Sequence, residues 1–493
     1  MSVHWPILRT LARHPRRAFI TDDTRTYRGI EILVAALHVA SAIERRSRTD
    51  TVGVLLPTSG AFPIAALAGW MLGKTVVPLN FLLKPEELQF VIDDCGTDTI
   101  LSAGPMLEFL KVRPRVETLI EMDRLSFKGV PEPRWPASAQ DDDLAVLLYT
   151  SGTSGKPKGV MLTHANLSAN VRQCVQWVGF TKEEVILGVL PQFHSFGLTV
   201  LTLLPLTIGC RAVYAAKFVP HRMVRLIREH KPTAFVAIPS MYNAILHVKD
   251  AGREDFASLR YVVSGSEPLP ETIASGFWER FGVRINEGYG LTETSPVTNW
   301  CRPWEYRPHS VGPPLPRIDQ RIRDPETGAF LVPGRDGEVV MKGPNIMRGY
   351  FNRPAENAAA FTPDGYFRTG DIGRHDADGH LYITGRLKEM MKVGGENVFP
   401  REIEEVLNQH PAVSASGVVG VKDRIRGELP VAFVELREGQ TADERALVAW
   451  CRERLAGYKV PWRVRVVAAL PRNPTGKIVR RELRAQAEAI LDE

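Results

Sequence analysis

The sequence predicts an α/β chain. A large N-terminal domain of helix-covered, largely parallel sheets carries a β subdomain, and a small α+β C-terminal domain follows. Three observations carry this expectation. Short apolar strand-like runs alternate with helix-length runs as far as Phe281. From Pro303 to about Gly385 the chain turns rich in Gly, Pro and short alternating runs. After Gly385 a shorter mixture of helical and strand patterns closes the chain. A chain of 493 residues also exceeds one ordinary hydrophobic core.

Taken in order, Val52–Leu56 reads as a strand, Ile64–Leu72 as a helix, Thr75–Pro78 as a strand and Pro85–Asp93 as a helix. The same rhythm returns with Met223–Glu229 (helix), Ala234–Ile238 and Tyr261–Ser264 (strands) and Pro270–Phe281 (helix). Such alternation buries parallel strands beneath crossover helices. Gly337–Met341 alternates as a half-buried strand of the β subdomain. In the last unit Glu402–Gln409 and Asp443–Leu455 read as helices, and Val413–Val421 and Val431–Leu436 as strands. The expected division is residues 1–385 (β subdomain about 303–385), a hinge at 386–388, and 389–493.

The apolar fraction of 44% and charged fraction of 24% belong to a globular protein rather than a disordered one. The 62 basic and 56 acidic residues leave +6, with no basic tract interleaved with aromatics that would argue for nucleic acid. The five cysteines, Cys95, Cys174, Cys210, Cys301 and Cys451, are scattered and never spaced CxxC, so neither zinc nor a disulfide framework is supported. The first residues lack a signal-peptide core, and the longest apolar stretches, Phe62–Leu72 and Val200–Ile208, are too short to span a bilayer. A reducing cytoplasm is the simplest home, with peripheral membrane contact left open.

The most informative stretch is Tyr149-Thr150-Ser151-Gly152-Thr153-Ser154-Gly155-Lys156-Pro157-Lys158-Gly159-Val160, directly after the apolar run Leu144 to Leu148. Glycines that tolerate positive φ let N–H groups converge, hydroxyls add donors and two lysines add charge. That chemistry suits a polyphosphate. The spacing from Gly152 to Lys156, and Pro157 in place of the magnesium-binding hydroxyl, exclude a Walker A loop.

Further motifs follow: Pro191-Gln192-Phe193-His194-Ser195-Phe196-Gly197, Ser264-Gly265-Ser266-Glu267-Pro268, Asn286-Glu287-Gly288-Tyr289-Gly290-Leu291-Thr292-Glu293, Thr369-Gly370-Asp371, Gly385-Arg386-Leu387-Lys388 running on through Lys392, Gly394, Gly395 and Asn397, and Pro471-Arg472-Asn473-Pro474-Thr475-Gly476-Lys477. In this order, over residues 149–478, they resemble the adenylate-forming superfamily, acyl-CoA synthetases above all.

The resemblance implies ATP-dependent activation of a carboxylic acid as acyl-AMP, followed by transfer to a thiol. It implies ATP, Mg²⁺ and CoA, or a phosphopantetheine carrier protein, as co-substrates. Thr150 to Lys156 and Lys158 would hold phosphates. Ser266, Glu267, Pro268 and Tyr289 would hold the adenine, Glu287, Gly288 and Gly290 would belong to the same ATP/AMP site, and Thr292 would hold the α-phosphate. Asp371 would take the ribose hydroxyls, Arg386 would sit near ribose and phosphate, and Glu293 would bind the metal. Lys477 would stabilise the first transition state. Lys392, Gly394 and Gly395 would serve the thiol step after rotation about Lys388. His194, Phe193, Phe196 and Tyr242, with Leu198, Ile238 and Met241, would line the acid site, and no Lys, Arg or acidic residue stands among them. That lining favours a medium- or long-chain fatty acid; an aryl acid such as a cinnamate is the alternative, as is transfer to a carrier protein. Oligomeric state is not legible.

Overall fold

The computed structural model describes residues 2–150, 156–472 and 478–491. Two large mixed sheets dominate. In the eight-stranded sheet the strands run in the order Val297–Trp300, Asn286–Gly290, Tyr261–Ser264, Ala234–Ala237, Val185–Gly188, Arg211–Tyr214, Ala18–Thr21 and Thr26–Arg28. Its six interior strands are mutually parallel and the two edge strands antiparallel. The interior strands are only four or five residues long and mostly buried, because helices or another sheet cover both faces; the end of Asn286–Gly290 emerges to the surface.

The seven-stranded sheet runs Gly349–Tyr350, Lys158–Thr163, Leu144–Thr150, Thr75–Pro78, Thr51–Val54, Thr99–Ser102 and Thr118–Glu121. Helices Gly29–Glu44, Ala61–Met71 and His164–Val178 share one core with both sheets. Ala61–Met71 shows the logic: every residue from Phe62 to Met71 is buried, so this helix has no polar stripe at all. Gly69 lets it approach, since a Cβ there would lie 3.0 Å from the side chains of Val52 and Val76.

A four-stranded antiparallel sheet follows, from Asp319–Arg323, Gly337–Lys342, Phe367–His375 and Leu381–Arg386. Its four strands lie between Asp319 and Arg386, and the chain between them does not stay within this sheet. Gly349–Tyr350 leaves it to become the edge strand beside Lys158–Thr163. The last unit packs helices Pro400–Asn408, Glu444–Arg452 and Arg480–Leu491 on a sheet of Glu396–Val398, Met391–Val393, Gly427–Leu436 and Val413–Asp423, with Arg463–Val467 pairing parallel to Gly427–Leu436. Among the described residues no helix is long and apolar enough to cross a membrane. All five cysteines are buried and free.

Candidate active site

One cavity of about 1700 Å³ opens where the carboxyl ends of the central strands meet the four-stranded sheet and the last unit. In open α/β sheets this is where ligands bind, because loops and helix termini converge there.

The end of the cavity where the sequence places phosphates is built by the hairpin Leu144–Thr150 and Lys158–Thr163. Tyr149, Thr150, Pro157 and Lys158 line the cavity. Ser151, Gly152, Thr153, Ser154 and Gly155 lie outside the described residues. Tyr149 is fixed by donating to Asp94 Oδ2 at 2.6 Å, and Arg353 holds the other oxygen at 2.9 Å. The Lys158 ammonium lies 3.6 Å from the Glu356 carboxylate. Lys156 does not line the cavity; its ammonium sits 5.6 Å from the centre of the half-buried Phe90 ring.

The opposite wall comes from the ends of Tyr261–Ser264 and Asn286–Gly290. Gly265, Ser266 and Glu267 line it, and Ser266 carries the turn at φ +72°. A Cβ on Gly265 would press the Phe196 ring at 3.0 Å. Gly288, Tyr289, Gly290, Leu291, Thr292 and Glu293 continue the wall. Gly290 has no substitute, since a Cβ would overlap the Pro296 carbonyl of the neighbouring strand. The Thr292 hydroxyl is 3.3 Å from that of Ser195. Two expected members of this wall are elsewhere. Pro268 is exposed outside it, and Glu287 is turned inward, its carboxylate accepting from the Leu269 N–H at 3.2 Å. Successive residues of the strand end point to opposite faces, so Gly288 meets the cavity while Glu287 faces away from it, toward Leu269, Tyr306 and His309.

Asp371 is 2% exposed and sits just behind the wall. It accepts from the Tyr289 hydroxyl at 2.6 Å and pairs with Arg386 at 3.0 Å. Burial pushes its carboxyl above the usual range, opposed by the Arg386 charge. Burial also pushes Glu293 up; one oxygen accepts from the Tyr350 hydroxyl at 2.9 Å. Among the described residues no three His, Cys, Asp or Glu side chains cluster as a metal cage. A lone carboxylate on the cavity wall nevertheless fits Mg²⁺, which is commonly held by one or two carboxylates together with substrate phosphates and waters.

Behind His194 and Phe196 the cavity continues as an apolar arm. Ile238 and Met241 line it as expected, but Phe193, Leu198 and Tyr242 do not. Phe193 is 2% exposed, its ring 4.8 Å from that of Phe81. The extended backbone at His194 sends neighbouring side chains to opposite sides. Tyr242 is fully buried and donates to the Val263 carbonyl at 2.8 Å. It follows Met241 on the helix Pro239–Leu246, and one residue is about 100° of rotation, enough to exchange cavity for core.

Sequence reasoning missed most of the arm: Phe180, Ile186, Val200, Val236, Tyr261 and Trp300. Phe180 packs against Tyr261 and Trp300 with ring centres 4.6 and 5.8 Å away. The available signal was the alternation Ala234/Val236 and Tyr261/Val263 on the strands. It identifies one face of the sheet, not that a cavity lies against it. The expectation of an uncharged acid site also needs correction, because exposed Lys84 and Lys217 line the mouth of the same cavity.

The last unit closes the opening. Arg386, Leu387 and Lys388 line it, as do Arg472, Val479, Arg481 and Glu482. Lys477 lies outside the described residues, but residues on both sides of it face the cavity. Lys392 does not: its ammonium is 3.6 Å from Glu326, away from the walls. Gly394 and Gly395, both at positive φ (62° and 91°), form an open hairpin turn beside it.

Residues 7–351 match the family model of the AMP-binding enzymes, and residues 402–477 match that of the AMP-binding enzyme C-terminal domain. The chain belongs to the AMP-binding enzyme family. It is 35% identical to the long-chain-fatty-acid–CoA ligase of Bacillus subtilis (strain 168), over 96% of this chain and 92% of that protein. It is 33% identical to a feruloyl-CoA synthase from Amycolatopsis sp, over 97% and 98% of the two chains. The fold is similar to that of ATP-bound MatB from Rhodopseudomonas palustris, with TM-score 0.91, 31% identity and coverage of 99% and 100%. Membership and relatives together put this family member among the AMP-forming acid–CoA ligases.

Proposed function

We propose that the protein activates an apolar carboxylic acid, foremost a medium- or long-chain fatty acid, as acyl-AMP and passes the acyl group to CoA. The observation that supports this best is a single cavity with two chemistries. One end is walled by Thr150, Lys158, Thr292 and Glu293, the other by an arm of aliphatic and aromatic side chains. A carboxylate lying between them would meet a nucleotide on one side and bury its chain on the other.

In the first half-reaction a carboxylate oxygen attacks the α-phosphorus, and the bond to pyrophosphate breaks. Lys158 and the hydroxyls around Thr150 hold the leaving phosphates, and Thr292 holds the α-phosphate. Glu293 would hold Mg²⁺, which when bound offsets phosphate charge. Tyr289 offers a ring to adenine, while Asp371 and Arg386 stand at the ribose. Lys477 supplies positive charge as negative charge builds on the transferring group. In the second half-reaction the CoA sulfur, having lost its proton, attacks the acyl carbonyl carbon and AMP departs. Burial lifts the enzyme's own thiols (Cys174 to about 12, Cys95 to about 11), which suits a mechanism with no enzyme-linked thioester. Lys392, Gly394 and Gly395 then serve as the pantetheine-facing loop after rotation about Lys388.

The aryl reading keeps specific support from the Phe196, Tyr261 and Trp300 rings of the arm and from the feruloyl-CoA relative. The test is kcat/KM over straight-chain acids of increasing length against cinnamate- and benzoate-type acids, each with CoA. Each methylene entering the arm should add roughly 0.8 kcal/mol until the arm is full. The fatty-acid reading therefore predicts a climb and then a break. A flat series with a superior cinnamate would favour the aryl acid.

A further inference from the structure

The hairpin Leu144–Thr150 and Lys158–Thr163 is gripped by a segment much later in the chain, the strand Gly349–Tyr350 and the helix Pro354–Ala360. Gly349 and Tyr350 pair with Met161 and Val160, and Phe351 N–H donates to the Gly159 carbonyl at 2.8 Å. Asn357 staples the segment by exchanging two hydrogen bonds with the Tyr350 backbone, 2.6 and 2.9 Å long. From this base three side chains reach the phosphate end: Tyr350 to Glu293, Arg353 to Asp94, and Glu356 to Lys158. The first two contacts fix groups in place. The third opposes them, because it offers a carboxylate to a lysine placed to meet phosphate.

We propose that Glu356 is a displaceable stand-in for nucleotide phosphate. It holds the Lys158 ammonium in the nucleotide-free protein and surrenders it when the triphosphate arrives. This rests on the nucleotide reading of the cavity given above. The geometry suits exchange rather than a permanent pair. The separation is 3.6 Å, wider than a close ion-pair hydrogen bond. The Glu356 side chain is 34% exposed and that of Lys158 is 17% exposed, so the carboxylate can return to water while the lysine stays at the cavity wall. The helix Pro354–Ala360 contains no buried residue, so Glu356 can turn away without disturbing a core. Holding the lysine preserves the orientation of a long side chain that would otherwise have to be ordered at binding, at the cost of an ion pair that ATP must replace.

The experiment is calorimetric titration of Mg·ATP into the full chain with no acid present, so that binding is read without turnover. Glu356→Gln should tighten ATP binding by about two- to fivefold, the range expected from releasing one partly exposed ion pair. Structural damage would weaken binding instead. In a Lys158→Gln background the same change should give no gain, and Glu356→Asp should fall between wild type and Glu356→Gln. Unchanged or weaker binding by Glu356→Gln overturns the proposal, as does a gain that persists without Lys158. Failure of the unaltered protein to bind Mg·ATP at all would instead remove the nucleotide reading of the site.

Discussion

Asp371 carries the sharpest claim at the scale of single residues. It is buried, charged and shared between Tyr289 and Arg386. Asp371→Asn keeps the shape and one acceptor but removes the charge that Arg386 answers. ATP binding should weaken by about 1–3 kcal/mol, the worth of charge-assisted hydrogen bonds. Discrimination against 2′-deoxy-ATP should shrink with it, measured as the ratio of dissociation constants; an unchanged ratio would move the ribose elsewhere. Tyr350 makes a second claim. Its hydroxyl orients Glu293, and loss of such an outer partner typically costs 10- to 100-fold in metal affinity. Tyr350→Phe should raise the Mg²⁺ concentration needed for half-maximal pyrophosphate release by roughly tenfold, and extra Mg²⁺ should restore the rate. At this scale the sequence was legible where a motif of the family names a residue. Thr150, Lys158, His194, Thr292 and Glu293 all reach one cavity. It was not legible where rotation by one position decides. Phe193 beside His194, and Tyr242 beside Met241, have the same composition as a pocket wall and belong to the core.

The strands and helices were legible from period and apolar content, and their ends moved by one or a few residues. Alternation predicted parallel sheets, and the interior strands are parallel. What alternation could not supply is which sheet a short strand joins. Gly349–Tyr350 pairs with Lys158–Thr163 through two residues, too few to leave a periodic signal. The helix His164–Val178 yields a pH prediction. His164 begins it, buried, with its Nδ1 accepting from the Val3 N–H at 3.2 Å and the His4 ring 5.9 Å away. Burial, with His4 nearby and Asp143 opposing, lowers His164 from 6.5 to about 4. A histidine whose folded value is depressed binds protons more readily when unfolded. Its contribution to stability is complete above pH 6.5 and is lost as pH falls from there toward 4. That is worth roughly 3 kcal/mol. The difference in Tm between wild type and His164→Gln should therefore narrow between pH 7 and pH 4.5. A constant difference would mean that His164 does not titrate there.

At the scale of the whole molecule the last unit caps the cavity with Lys388, Arg472 and Arg481 while Lys392 points away. Lys392 lies away from the cavity, so the reading of two half-reactions, with Lys477 serving the first and Lys392 the second, calls for rotation about Lys388. Lys388→Pro, which fixes φ at the hinge, should leave acyl-AMP formation measurable and impair its transfer to CoA. Lys477→Ala should do the reverse when acyl-AMP is supplied. Equal losses in both steps for both variants would speak against rotation. The order of motifs made this architecture legible, because each motif marks one loop of the same cavity. The apolar arm was not legible, since Phe180, Tyr261 and Trp300 stand far apart in sequence and meet only through the fold. The central claim is that one cavity joins an apolar acid to AMP before any thiol enters. It is tested most directly by mass spectrometry of the protein incubated with ATP, Mg²⁺ and dodecanoate, first without CoA and then with it. The account predicts dodecanoyl-AMP and pyrophosphate in the first mixture, and conversion to dodecanoyl-CoA and AMP in the second. ADP and phosphate in place of acyl-AMP, or no acid-dependent product, would contradict it.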